Sequence, residues 1–182
     1  MRKDSAGFSL IELMVAVSVF TLIMTASMGS VLSVLAANRK AQSLRAVMDN
    51  LDFALEGMTR TIRFGTAYHC GSGGDPSQPA DCPSGDMSIT VKSQNGQLVS
   101  YALSGSSIVR SVAGGQYYAV TSPDVTISKL SFRVFGSEPF SKGGQAQPEV
   151  IIVVSGFAGS QASSQSSFNL ETTVSQLVFN SQ

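Results

Sequence analysis

Apolar and polar positions along the chain fall into three regimes. From Leu13 to Asn38 there is no charged residue. That run is about 26 residues, or about 39 Å as a helix, against a bilayer hydrocarbon core of about 30 Å. Beyond it Leu44, Val47, Met48, Leu51, Ala54, Leu55, Met58 and Ile62 recur at steps of three and four. This is one face of an amphipathic helix. Arg45, Asp49, Asp52, Glu56, Arg60 and Arg63 fall on the other face, with Glu56 ahead of Arg60 in the favourable order. The pattern predicts one continuous helix from about Phe8 to Phe64, with Gly65 as its C-cap. Gly57 reads as a solvent-side or closely packed glycine rather than a hinge.

After Gly65 the period shortens. His69 to Asp86 is rich in Gly, Ser, Pro and Asp and reads as a surface loop. "SITVKSQNGQLVSYAL" predicts a hairpin turning at Asn95-Gly96. Ile108 to Val112 and Tyr117 to Val120 are further short strands. Val125 to Val134 alternates, with a phase slip between Ile127 and Leu130 that predicts a bulge. Glu149 to Val154 is apolar after its first residue, as for a strand covered on both faces. Phe168 to Phe179 supplies a last strand with a slip near Ser175, after the mobile linker "GFAGSQASSQSS". The fold class is α+β: a long N-terminal helix, membrane-spanning in its first half and amphipathic in its second, packed on a C-terminal antiparallel β-sheet head.

Composition narrows the function. The 182 residues carry zero net charge and only 13% charged residues, which gives no sign of a nucleic-acid-binding basic domain. Two cysteines and one histidine leave little for metal or nucleophilic chemistry. A zinc site would have only His69 to join Cys70 and Cys82, at poor spacing. Asp75, Asp81 and Asp86 offer oxygen ligands of the kind calcium takes, but three solvated loop acids is the preferred reading. The pairs Gly73-Gly74, Gly114-Gly115 and Gly143-Gly144 lack the strand-before, helix-after setting of a phosphate loop and read as turns. No catalytic constellation emerges, so the chain reads as a non-enzyme without metal or cofactor.

The N-terminal run contains one anomaly, Glu12. A carboxylate at the centre of a membrane helix costs about 2.5 to 3.5 kcal/mol, less near the interface, and usually has a partner. Arg2 and Lys3 precede the run and favour a cytoplasmic N-terminus, although Arg39, Lys40 and Arg45 follow it. A cleaved secretory signal would end near "TASMGS", yet the apolar run continues through Val31, Leu32, Val34 and Leu35. A plain signal anchor explains the length but not Glu12.

The stretch "GFSLIELMVAVSVF" resembles the processing site of type IV pilins and of type II secretion pseudopilins. The resemblance implies cleavage after Gly7 by a prepilin peptidase, methylation of the new amine at Phe8, and Glu12 as the fifth mature residue. It further implies assembly through the N-terminal helix with other pilin or pseudopilin subunits, from the lipid bilayer and an inner-membrane assembly platform. Glu12 would then meet the Phe8 ammonium of a neighbouring subunit and set register. The implied divisions are 1–7 leader, 8–38 transmembrane or filament-core helix, 39–65 amphipathic half-helix and 66–182 head. Many type IV pilins have proline at the twenty-second mature position. Here Gly29 stands there, beside Ser27 and Ser30, either loosening the helix or allowing close helix contact. With Phe8 cytoplasmic and one span, the 70–82 loop lies outside, where a Cys70–Cys82 disulfide persists.

"LDFALEGMTRTIRFG" and "FNLETTVSQL" look like the larger minor pilins and J-type pseudopilins. The leading expectation is a minor-pilin-like filament subunit, first a single-pass precursor in the cytoplasmic membrane with its head outside, then part of a cell-surface or periplasmic filament. The alternatives are a type II secretion pseudopilin and a membrane-anchored extracytoplasmic binding domain that does not polymerise. The sequence leaves contact with nucleic acid open.

Overall fold

A computed structural model describes residues 7, 9–158 and 165–177 of the chain. The expected leader residues 1–6, the new N-terminus Phe8, part of the expected linker, and Val178 and Phe179 of the expected last strand lie outside the described residues. The chain divides into two compact units, Met1–Gln42 and Ser43–Gln182.

Helix α1 runs from Leu10 to Arg63 and contributes to both units. In the first unit its apolar side chains are exposed, from Leu10 at 78% to Leu35 at 47%. The helix is long and apolar enough to cross a membrane, and no residue of its most apolar stretch is buried. In the second unit the period-3.6 stripe is buried: Val47, Leu51, Ala54, Met58 and Ile62 are all covered.

The head is α+β, as the pattern predicts, with its strands in two antiparallel sheets. The first has the order β1 (Thr66–Cys70), β2 (Ser88–Lys92), β3 (Leu98–Ser104), β4 (Ser107–Val112) and β5 (Tyr118–Ala119). The second has β6 (Val125–Phe135), β7 (Glu149–Ala158) and β8 (Ser166–Ser175). An isolated antiparallel bridge between Asp86 and Phe132 joins them. The apolar stripe of α1 shares one core with Ile89, Val91, Tyr101 and Ile108 of the first sheet and Phe132, Val134, Ile152 and Val174 of the second.

The expected phase slip in β6 is an irregularity in pairing with β7 between Ile127 and Lys129. It leaves Ser128 out of register, and its hydroxyl donates to the Ser155 carbonyl at 3.2 Å. The β2–β3 hairpin forms in the expected place, but by a different turn. Gly96 N–H donates to Ser93 O at 2.9 Å and only Gly96 has positive φ, at 76°. Asn95 therefore stays right-handed, in a type I turn followed by a left-handed glycine.

Four expectations are corrected. His69 and Cys70 belong to strand β1, not to a loop, because Tyr68, His69 and Cys70 are buried and pair with β2. Strand β7 is not covered on both faces: burial alternates along it, with Ile151 and Val153 half-buried between buried Val150, Ile152 and Val154. The last strand begins at Ser166, earlier than expected, and its pairing ends at Ser175. Finally, Gly65 does not cap α1 in a left-handed conformation. Its N–H does donate to Ile62 O at 3.1 Å, and further partners come from elsewhere: the Tyr68 hydroxyl to Ile62 O at 2.7 Å, Leu177 N–H to Arg63 O at 2.8 Å, and the Gln176 side-chain amide to Gly65 O at 3.0 Å. Gly65 is instead a site of close approach, since a Cβ there would overlap Val91 Cγ1 and Thr61 O.

Candidate processing and assembly site

The site begins with Ser9. This residue lies just before α1, and its hydroxyl accepts from the backbone N–H of Glu12 at 3.3 Å. Its carbonyl accepts the first helical bond, from Leu13 N–H at 3.2 Å. Ser9 is thus the N-cap and Glu12 the N3 residue, at the Ser-x-x-Glu spacing of a capping box. The first turn of a helix carries partial positive charge and unsatisfied N–H groups, where a carboxylate is stabilised by about 0.3 to 1 kcal/mol. This offers a local reason for an acid at Glu12 in addition to any partner on another subunit. Ser9 was missed by the reading of the resemblance alone, although the spacing S-x-x-E before an apolar run was the signal for it.

Four of the hydroxyls inside the apolar run bond back to the helix. Ser18 donates to Met14 O at 2.7 Å, Thr21 to Val17 O at 2.6 Å, Thr25 to Thr21 O at 2.9 Å and Ser27 to Ile23 O at 2.8 Å. In hydrocarbon each would otherwise be an unsatisfied polar group, so back-bonding lets these residues sit in a span. Gly7 and Gly29 both have open space where a Cβ would lie. The helix continues on both sides of Gly29 without interruption.

In the head, Cys70 and Cys82 are joined, with Cα atoms 5.7 Å apart. The bridge ties the end of β1 to the loop that follows it. Within that loop the ring of His69 is buried, its Nδ1 2.7 Å from Gln78 O and its Nε2 2.6 Å from Gly73 O.

The three loop acids do separate work. Asp75 accepts from Ser77 N–H at 2.9 Å and from its hydroxyl at 2.7 Å, which holds its carboxyl below the usual range. Asp81 accepts from Gly136 and Ser137 N–H, and Asp86 from Ser88 N–H. Among the described residues they form no metal-binding group.

A family model described as the prokaryotic N-terminal methylation motif matches residues 2–28. The chain therefore carries the type IV pilin and pseudopilin signature, which marks structural rather than enzymatic proteins. No curated protein and no solved structure shows significant similarity to the chain.

Proposed function

We propose that this chain is a minor-pilin-like structural subunit of a type IV pilus-type filament, cut after Gly7 and methylated at Phe8. The observation that carries the proposal is the join, within one short segment, of the methylation motif to an uncovered apolar helix that opens on a capped Glu12. That apolar surface needs a cover. The bilayer supplies it before assembly, and the helices of other subunits supply it afterwards. Greasy contacts tolerate sliding, so a partly desolvated pair between Glu12 and the Phe8 ammonium of a neighbour would specify register more than stability. Residues 1–7 are the leader, 8–38 the filament-core helix, 39–65 the amphipathic half-helix and 66–182 the head. Prepilin peptidase, other subunits and an inner-membrane platform are the partners. The same features fit a type II secretion pseudopilin, which differs in where the filament forms.

The test compares Glu12→Val and Glu12→Gln with the native chain. Cleaved protein in membranes should stay near native levels, because removing a charge lowers the insertion cost. Protein in sheared filaments should fall sharply for both variants. Normal incorporation of both would reject the register role. Intact mass of the native protein should show a chain starting at methylated Phe8, and retention of Met1 in assembled material would overturn the processing assignment.

A further inference from the structure

A cavity of about 260 Å³ lies within the head, between the end of α1 and the β2–β3 turn. Arg60 of α1 and Arg110 of β4 both line it, together with Gln94, Asn95 and Gln97. Neither Asp nor Glu is among its lining residues. Arg110 pairs in register with Tyr101, whose hydroxyl bonds to Thr61 on α1 at 3.0 Å, so Arg110 lies on the helix-facing side of the sheet. Its Nε is buried and has no hydrogen-bond partner. The nearby Thr61 hydroxyl donates to Gly57 O at 2.8 Å and bonds to Tyr101 instead.

Two arginines line one cavity, and Arg110 has a donor sealed from water. A partly buried charge without a counter-charge is costly. The amide side chains supply further donors around the same space. The planar fork of arginine matches the paired oxygens of a carboxylate or phosphate.

The geometry points to an oxyanion-binding site in the head, with Arg60 and Arg110 as the charged clamp and the turn amides as secondary donors. Its ligand class is a small solute bearing a carboxylate or phosphate. The site is independent of the filament reading.

The test uses the full chain in a non-ionic detergent, with arginine Nε–H groups followed by NMR. Sodium phosphate and sodium acetate are titrated separately, each against sodium chloride at equal ionic strength. Saturable shifts of the Arg60 and Arg110 signals are expected with at least one oxyanion. Saturation by phosphate alone identifies phosphate as the ligand chemistry, and saturation by acetate identifies carboxylate. Arg60→Gln, at an exposed helix position that should not disturb folding, should weaken binding about tenfold or more by removing one charged partner. Arg133→Gln, in the other sheet, should leave it unchanged. Shifts no larger than those with chloride, or equal loss in both variants, would overturn the site.

Discussion

Tyr68 closes the end of the long helix. Its side chain is 1% exposed, and its hydroxyl donates to Ile62 O with Gly65 O beside it at 3.2 Å. Replacing it by Phe removes one of two donors from Ile62 O, which keeps the Gly65 N–H at 3.1 Å, and should cost about 0.5 to 1.5 kcal/mol, read from urea unfolding near neutral pH. Burial also pushes the hydroxyl's pKa above its ordinary value of 10.0. The folded chain therefore holds this proton more tightly than the unfolded chain. That contribution is complete below the ordinary value and is lost as pH rises above it. The native head should lose stability between about pH 9.5 and 11 more steeply than Tyr68→Phe, since Phe has no proton to lose. Equal slopes for the two proteins would remove Tyr68 as the cause.

Among the elements, the 70–82 segment depends most on a covalent tie. Strand β1 is short, its pairing with β2 shifts between Thr66 and His69, and the loop after it is mostly exposed. The bridge restricts that segment in the unfolded chain. A Cys70→Ser, Cys82→Ser double variant should lose about 2 to 4 kcal/mol. Calorimetry should show a lower melting temperature, and an unchanged one would make the bridge dispensable. Strand β7 has a different basis. It is central in its sheet, with both edges paired, and only its inner row, Val150, Ile152, Val154, Gly156 and Ala158, is buried. Its continuous apolar run looked like a strand covered on both faces because Ile151 and Val153 are also aliphatic. No helix among the described residues covers that second face, and its neighbours in register are Arg133, Ser131, Thr173 and Glu171. Long polar side chains can cover an aliphatic pair part-way through their stems.

At the scale of the molecule, the two units have different needs. The second has its own core, running from Val47 to Val174. The first has an exposed apolar surface on a helix long and apolar enough to cross a membrane. Removing residues 1–42 should therefore give a monodisperse, detergent-free monomer by size-exclusion chromatography with light scattering. The full chain should need detergent. Aggregation of the shortened chain would show that the head depends on the first unit for more than attachment.

The sequence alone determined whatever depends on near neighbours in the chain. The charge-free run, the buried stripe of α1, the slip in β6 and the place of the β2–β3 hairpin all follow from side-chain periods of 3.6 and 2, which a single segment displays. The methylation motif at residues 2–28 is legible for the same reason, because it is a run of contiguous residues. The Ser9–Glu12 cap was equally local, so its signal was present though unread. Tertiary structure decided what depends on residues distant in sequence. The division into two sheets, the capping of α1 by Tyr68, Gln176 and Leu177, and the meeting of Arg60 with Arg110 leave no periodic trace. Hydrogen bonds and charges act over a few ångströms of space, and only the folded chain brings those groups within that range.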